Sequence, residues 1–315
     1  MMTNSFNISR RSVLAGSGGL ALAAAAPMAA TPARAQSMSS PRHSSIQLGA
    51  FTVTTFLDNS RTVPDPQSIF GMNVSPEEFN EVSADNFIPS DQSRFFFTPT
   101  LVNTGSEVVL FDTGNGGDSG QLVAAMGDAG LSPEDVTIVV ITHMHPDHIG
   151  GMMTGGAPTF PNARYVTGSA EYNFFTGDNA PGRLAEMVQG MVVPVADNLT
   201  FLDDGGSVTG GITAVAAFGH TAGHMTYRIE SEGQGLHLIA DLANHYVWSL
   251  AYPDWEVRFD ADKAGAAQAR RNILGMIAAD RVPFVGYHMP FPALGYVEQN
   301  GDGFRYVPAS YQFDL

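Results

Sequence analysis

The 315-residue chain contains no cysteine. It therefore forms no disulfide, has no thiolate nucleophile, and can bind a metal ion only through nitrogen and oxygen ligands. Its stability has to come from a hydrophobic core, and 44% hydrophobic residues over this length are ample for one. We expect a single domain or two fused halves, because no break in composition divides the chain.

Basic residues are also scarce. Lys263 is the only lysine, and 15 Lys+Arg stand against 31 Asp+Glu, which gives a formal net charge of −16. Nucleic acids and anionic membrane surfaces are polyanions, so a protein this acidic should bind neither. The composition instead favours a small, neutral and partly apolar substrate.

Residues 1–35 predict an export signal rather than part of the fold. Arg10 and Arg11 precede a weakly apolar Gly/Ala/Leu run, and Ala33-Arg34-Ala35 offers an A-x-A cleavage site. Paired arginines are typical of the twin-arginine route, so we expect a periplasmic or secreted protein. Pro27 and the many glycines of the run argue against a stable membrane anchor.

The rest of the chain alternates short Val/Ile/Phe-rich runs with Ala-rich helical stretches, which is an α/β pattern. Residues 36–45 predict a disordered lead-in with a solvated His43, so that the folded domain spans 46–315. The run 136–141 is continuously apolar and predicts a strand buried on both faces. Residues 260–280 predict a helix that begins on an aspartate cap.

The stretch ITHMHPDHIGG, residues 141–151, places three histidines and an aspartate within six positions. Protonated imidazoles repel each other and a buried carboxylate is costly, unless a cation compensates them. His143 and His145 are two positions apart, so in an extended chain they project to the same side and can bind one metal ion. Asp147 and His148 lie a turn further on and would face a neighbouring ion.

Three more candidate ligands, His220, Asp241 and His288, follow the carboxyl ends of predicted strands, as His143 does. Loops at that edge of an α/β sheet converge on one place. His220 can complete the ligand set of the first ion, His288 can join the second, and Asp241 can bridge the two. Such ligands suit zinc and are acceptable to manganese, iron or cobalt.

Two divalent ions about 3.5–4 Å apart would lower the pKa of a shared water towards neutrality and so create a bridging hydroxide. The chemistry predicted by this arrangement is hydrolysis without a protein nucleophile. Asp147 and Asp241 are the carboxylates that we expect to take part in catalysis.

Four other residues allow two interpretations each. His237 lies in the middle of a predicted strand and is most simply a core residue. His245 either lines a pocket or packs in the core. His224 either binds metal or supports a ligand from behind, and the glycines around it favour the second. Asp112 is either an ordinary turn residue or orients a ligand histidine, and we favour the second.

The segment THMHPDH resembles the H-x-H-x-D-H signature of the metallo-β-lactamase superfamily, and the later candidate ligands follow in that family's order. The resemblance extends from about residue 45 to the C-terminus. It implies an αβ/βα sandwich of two mixed β-sheets with outer helices and a dinuclear site at one edge. In this family pattern one metal is held by His143, His145 and His220, the other by Asp147, His148 and His288, and Asp241 bridges them.

Within the superfamily, LVNTGSEVVLFDTG, GHTAGH and GYVEQNGDGFRYVPASY resemble the methyl parathion hydrolase and lactonase branch. That branch hydrolyses lactones, esters and organophosphate triesters, and some members are exported dimers, so a homodimer is an expectation here. Segments 58–100 and 240–255 do not match the branch, which leaves the pocket walls open. Candidate wall residues, which core packing would explain equally well, are Phe95, Phe96, Phe174, Phe175, Tyr246, Trp248 and Trp255.

We therefore predict an exported hydrolase with two divalent ions, zinc first among them, that opens lactones or cleaves esters and also accepts organophosphate triesters. The alternatives are a phosphotriesterase of methyl parathion hydrolase type and a glyoxalase II-like thioesterase, although no basic cluster is present for an anionic glutathione substrate. The common zinc β-lactamases use a cysteine ligand, and a mononuclear iron dioxygenase would lose Asp147 or His148 as ligands. A non-enzymatic metal-binding protein would need a closed coordination shell.

Overall fold

The computed structural model describes residues 41–178 and 180–313. The predicted signal, residues 1–35, lies outside the described residues, as does the first half of the predicted lead-in. The end of that lead-in is a correction: His43–Leu48 forms a strand that pairs antiparallel with Phe51–Phe56, and His43 is half-buried in it. Among the described residues, no helix is both long and apolar enough to cross a membrane.

The described residues form eighteen strands and six α-helices. The strands are β1 His43–Leu48, β2 Phe51–Phe56, β3 Asn59–Pro64, β4 Gln92–Phe97, β5 Thr100–Asn103, β6 Val108–Phe111, β7 Ile138–Ile141, β8 Met153–Thr154, β9 Ala157–Pro158, β10 Arg164–Gly168, β11 Leu199–Leu202, β12 Ser207–Thr209, β13 Ile212–Ala216, β14 Met225–Ser231, β15 Gln234–Ala240, β16 Phe284–Gly286, β17 Leu294–Asn300 and β18 Gly303–Pro308. The helices are α1 Pro76–Asp85, α2 Leu122–Asp128, α3 Pro146–Ile149, α4 Ser169–Thr176, α5 Gly182–Met191 and α6 Lys263–Asp280. Short 3-10 helices span Pro66–Ser68, Pro133–Asp135 and Val193–Asn198.

Two seven-stranded sheets organise the molecule. The first has the order β1-β2-β5-β6-β7-β10-β11, with parallel pairing from β6 to β11 and antiparallel pairing elsewhere. The second has the order β12-β13-β14-β15-β16-β17-β18, in which only β15 and β16 are parallel. Both sheets are therefore mixed, as predicted, and two small two-stranded sheets, β3–β4 and β8–β9, lie outside them.

Strand β7 shows how the two faces of the first sheet are used. Ile138 and Val140 pack into the core shared with the second sheet, whereas Val139 and Ile141 pack into a cluster with residues of α2 and α5. Successive side chains of a strand point to opposite faces, so a strand covered on both sides must be apolar at every position. The prediction of a doubly buried strand is confirmed, and the architecture is the expected sandwich with outer helices.

Helix α6 begins later than predicted. Its first residue is Lys263, and its cap is Asp262, whose side chain accepts a hydrogen bond from the N–H of Gly265. Asp260 is therefore free for another contact. The predicted apolar face is confirmed, because Ile273, Leu274 and Ile277 are all buried.

Candidate metal centre

The seven predicted ligands come together at the edge of the sandwich where several strands end. His143 and His145 follow β7, and the next turn, α3, carries Asp147 and His148. The other three lie after strands of the second sheet: His220 after β13, Asp241 after β15 and His288 after β16. These loops come from both sheets and are held in place by the strands before them, which brings together side chains that are far apart in sequence.

The first group contains His143, His145, His220 and Asp241. Nδ1 of His145 lies 3.1 Å from Nε2 of His143 and 3.0 Å from Nε2 of His220. Oδ2 of Asp241 lies 3.4 Å from Nε2 of His220. Three imidazole nitrogens and one carboxylate oxygen thus face a common point.

The second group contains Asp147, His148 and His288. Oδ2 of Asp147 lies 3.6 Å from Nε2 of His148 and 3.4 Å from Nε2 of His288. Asp241 also reaches this group, since its Oδ1 is 3.2 Å from His148 and its Oδ2 is 3.1 Å from His288. Asp241 therefore lies between the two groups, where a bridging carboxylate would have to be.

Two buried carboxylates orient the histidines from behind. Asp112 accepts a hydrogen bond from Nδ1 of His148 at 2.8 Å, and Asp260 accepts one from Nδ1 of His220 at 3.0 Å. A proton held on Nδ1 leaves Nε2 with a free lone pair, which is the form that binds metal. The predicted role of Asp112 as an orienting residue fits this geometry.

Two further histidines are oriented in the same way. Nδ1 of His288 donates to the carbonyl oxygen of Phe96 at 2.7 Å. The hydroxyl of Thr142 donates to Asp112, so its oxygen is left to accept from Nδ1 of His143 at 3.1 Å. Their Nε2 atoms consequently carry no proton and are directed at the site, whereas His145 presents its Nδ1.

The carboxylates and imidazoles of the site shift one another's pKa values. Burial alone would lower the pKa of His220, but its hydrogen bonds to Asp241 and Asp260 outweigh burial and raise that pKa to about 9. Asp241 likewise raises the pKa of His148 and His288 against the effect of burial. These two histidines in turn hold the pKa of Asp241 well below its usual range. The site is therefore built to stabilise positive charge beside Asp241.

His143 and His145 behave differently. Burial lowers the pKa of His143 far below its usual value and that of His145 to about 3. Both rings are thus neutral at physiological pH, as a metal ligand must be.

The donor set fits divalent metal ions. Nε2 of His148 and Oδ1 of Asp241 are buried and have no hydrogen-bond partner among the described residues. Leaving two such groups unpaired is costly, and a cation between them would satisfy both. Three histidines with one carboxylate, next to two histidines with two carboxylates, form two adjacent ligand groups of a kind that zinc accepts.

Glu171 is a functional candidate that the sequence did not reveal. This carboxylate of α4 is fully buried; it accepts hydrogen bonds from the N–H of Met144 at 2.8 Å, the hydroxyl of Thr221 at 2.7 Å and the N–H of Gly223 at 2.8 Å. Met144 lies between two candidate ligands, and Thr221 follows a third. Glu171 therefore ties together the two loops that supply the three histidines of the first group.

The GHTAGH loop can approach α4 this closely only because it contains glycine. A Cβ atom on Gly223 would lie 2.1 Å from the backbone nitrogen of Glu171. The backbone is also strained on the other side of the site, where Ala240, directly before Asp241, has a φ of 45°. Such strain in a residue other than glycine is found at sites that the surrounding structure holds firmly.

The remaining histidines lie outside both ligand groups. Nε2 of His224 accepts the N–H of Asp241 at 3.1 Å, which matches the predicted supporting role. His237 is buried beside Thr226, at 2.9 Å between Nε2 and Oγ1, as expected for a core residue. His245 is both buried and in the wall of a cavity.

A cavity of about 480 Å³ opens over the two ligand groups. Its floor is formed by Asp147, Asp241, His145 and His288. Among the described residues that line it, Arg61 is the only lysine or arginine. The apolar wall consists of Phe95, Phe97, Pro146, Met187 and Phe259. Segments 58–100 and 242–259, where the sequence predicted little, therefore supply much of the wall.

The predicted wall residues divide into three sets. Phe95 lines this cavity, whereas Phe96, Tyr246 and Trp248 line a second one next to it. The others pack in the core: Phe174 and Phe175 join the cluster beneath the first sheet, and Trp255 packs in an aromatic cluster with Phe79.

Comparison with known proteins agrees with this geometry. The sequence model described as "Metallo-beta-lactamase superfamily" matches residues 98–283, more than half of the chain. An N-acyl homoserine lactonase of Bacillus cereus is 29% identical over 119 residues, which are 38% of this chain and 43% of the relative. The chain thus spans less than half the length of the curated relatives that it matches.

Two solved structures are similar over nearly their whole length. AidC, described as a dizinc quorum-quenching lactonase in complex with a product N-hexanoyl-L-homoserine, is 27% identical, with a TM-score of 0.80 over 86% of this chain and 98% of AidC. AbOPH, a hydrolase of the β-lactamase superfamily, is 21% identical, with a TM-score of 0.79 over 87% of this chain and 99% of AbOPH. At that identity the second match shows the fold alone.

Proposed function

The chain belongs to the metallo-β-lactamase superfamily and is a metal-dependent hydrolase, and we propose that it is a lactonase with two divalent ions, zinc first among them. The observation that carries the proposal is the position of Asp241 between the two ligand groups, on the floor of an apolar-walled cavity. We assign His143, His145 and His220 to one ion, Asp147, His148 and His288 to the other, and Asp241 to both.

The substrate class that we propose is the N-acyl homoserine lactones. They combine a neutral ring with an apolar acyl arm, which suits a cavity that has a polar floor and walls of Phe95, Phe97 and Phe259. The 27% identity to a dizinc lactonase along almost its whole length supports this choice, as do the N-acyl homoserine lactonase relatives.

Two divalent ions bound here would acidify a water molecule and polarise the carbonyl of the substrate. The chain itself positions the reactants and handles the protons. Asp112 and Asp260 keep their imidazoles in the required tautomer, and the phenylalanine walls exclude bulk water. The attacking water loses a proton as it adds to the carbonyl, and the alkoxide that departs as the ring C–O bond breaks needs one. Asp147 lines the cavity with a partly exposed carboxylate, and we propose that it accepts the first proton and passes it to the alkoxide.

The test is acid release by the metal-loaded protein, followed with a pH indicator. The panel contains N-acyl homoserine lactones, simple aryl esters and a dimethyl phosphotriester, each with and without prior chelation. We expect chelator-sensitive turnover that favours the lactones. A preference for the triester would make the protein a phosphotriesterase, because both reactions use the metals alike and differ only in pocket shape. No turnover on any substrate would refute the proposed function.

We also propose that the protein is exported by the twin-arginine route, on the basis of Arg10, Arg11 and the A-x-A site. Replacing both arginines with lysine should leave the protein in the cytoplasm, as cell fractionation would show. An unchanged distribution would contradict the proposal. A homodimer stays a prediction that light scattering can check.

A further inference from the structure

A second cavity, of about 270 Å³, lies beside the catalytic one. Among the residues that line the two cavities, they share only His288. Strand β4 lies between them, because its successive side chains point to opposite sides. Phe95 and Phe97 line the catalytic cavity, whereas Arg94 and Phe96 line the second. The second cavity is thus a separate space that touches the catalytic machinery at one residue.

The walls of this second cavity are largely aromatic. Phe96, Tyr246 and Trp248 contribute rings, and His245 stacks on Trp248 with ring centroids 4.1 Å apart and planes 15° apart. Flat walls of this kind favour a flat ligand, which can stack or pack edge-on against them. An engineered apolar cavity of about 150 Å³ binds benzene, so this one has room for two fused rings.

One polar side chain of the lining, His245, offers a hydrogen-bond donor. Nδ1 of His245 accepts the N–H groups of Val247 and Trp248, both at 3.2 Å, so its ring proton must lie on Nε2. An imidazole N–H is thus available to a ligand oxygen. Ser93 also borders the cavity, but the alternation of β4 places its side chain on the face of Phe95 and Phe97.

The cavity does not select for charge. Burial lowers the pKa of His245 to about 3, so the imidazole stays neutral at physiological pH. Among the described residues of the lining, Arg94 is the only arginine or lysine; it lies over the ring of Phe96, 5.9 Å from its centroid, and its Nη2 donates to Ser60. The groups that point to a ligand are therefore rings and neutral hydrogen-bonding atoms.

We propose that this cavity is a second small-molecule site, which binds a neutral bicyclic aromatic compound with a carbonyl or hydroxyl oxygen. The ligand packs against the aromatic walls and its oxygen accepts a hydrogen bond from Nε2 of His245. The site lies outside the catalytic cavity and does not depend on which ester or lactone is hydrolysed.

Occupancy of the site is transmitted to the catalytic centre through His288. Its Nδ1 donates to the carbonyl of Phe96 at 2.7 Å, and its ring lies edge-on to Phe95 and Phe97 at 5.7 Å and 5.3 Å between centroids. A ligand packed on Phe96 therefore acts on the group that fixes a proposed metal ligand. This coupling through His288 rests on the proposed function. It predicts that ligand binding changes the kcat for lactone hydrolysis and leaves the KM unchanged.

The probe for the site is 2-quinolone, a bicyclic lactam with a carbonyl oxygen, titrated into the metal-loaded protein by calorimetry. His245→Phe keeps an aromatic ring but removes the N–H donor, and it should raise the Kd for 2-quinolone about tenfold while leaving the Kd for naphthalene unchanged. Thr62→Trp fills the cavity from an exposed position and should abolish binding of both probes. Thr154→Trp, on the remote β8–β9 hairpin, is the matched control and should bind like the parent protein.

Three outcomes would overturn the proposal: no binding of 2-quinolone, an unchanged Kd in the Thr62→Trp variant, or competition of 2-quinolone with the lactone. Calorimetry detects binding whether or not any substrate is hydrolysed. A protein that binds the probe but hydrolyses nothing would therefore refute the proposed function and leave the second site standing.

Discussion

Asp260 accepts a hydrogen bond from Nδ1 of His220 across 3.0 Å, although the two residues are 40 positions apart. Its second oxygen accepts from Nη1 of Arg270, a buried arginine of helix α6, at 2.8 Å. Asp260 therefore orients a candidate metal ligand and neutralises a buried guanidinium at the same time. One carboxylate couples the metal centre to the packing of the longest helix.

Asp260→Ala should destabilise the protein strongly. The change leaves Arg270 buried without its charged partner, and breaking a buried ion pair on one side costs about 3–5 kcal/mol. Urea unfolding of the metal-free protein measures the loss without interference from bound metal. Arg271→Ala breaks the exposed pair with Asp254 and serves as the control, with an expected cost of about 1 kcal/mol or less. Equal losses in the two variants would contradict the role given to Asp260.

Asp241→Ala should remove at least one equivalent of bound metal and nearly all turnover. Its carboxylate reaches nitrogens of both ligand groups, so its loss weakens both sites at once. Metal analysis after dialysis, together with the lactone assay, checks this. Asp118→Ala, at an exposed position, is the control and should keep two metals. Full activity in the Asp241 variant would exclude the bridging assignment.

Glu171→Gln should weaken the first metal site selectively. An amide can accept through only one of its two ends, so the loop contacts to Met144 or to Gly223 lose an acceptor. Changes to groups that orient ligands typically reduce metal affinity 10- to 100-fold. We expect titration with a competing chelator to show one weakened and one unchanged zinc equivalent. Glu186→Gln on the exposed side of α5 is the control; a uniform loss of both equivalents would argue against a selective role.

His237→Gln should leave metal content unchanged and make the protein less sensitive to acid. Burial lowers the pKa of His237 to about 4, whereas an unfolded histidine has a pKa of about 6.5. The neutral ring therefore contributes stability above pH 6.5, and this contribution, up to roughly 3 kcal/mol, is lost as the pH falls from 6.5 to 4. The difference in unfolding free energy between pH 7 and pH 4 should shrink in the variant. Loss of bound metal would show that His237 is not merely a core residue.

Much of the metal centre could be predicted from local sequence. His143, His145, Asp147 and His148 lie so close together that a turn after a strand brings them to one place in any compact fold. The strands before His220, Asp241 and His288 are short apolar runs, and such runs predict where a polar residue meets the edge of a sheet. These features depend only on residue type and spacing, and the structure brings these side chains into two adjacent groups.

The predicted disorder at the end of the lead-in and the predicted start of helix α6 are both wrong, and each error has a physical reason. His43, Ser44 and Ser45 have little propensity of their own for a strand, and they form one because β2 offers free backbone partners. Two aspartates, Asp260 and Asp262, precede α6, and either can cap a helix. The contact with His220 decides that Asp260 does not.

What the sequence by itself determined is the identity of the candidate ligand residues and the strand ends that carry them. What only the tertiary structure decided is which buried groups hold those ligands in place and which rings form the cavities. Glu171 is a single acid in a helix, and Phe259 a single ring in an irregular segment, so neither leaves a periodic signal. Their contacts join residues distant along the chain, and such contacts exist only after the two sheets have packed and closed the loops over one another.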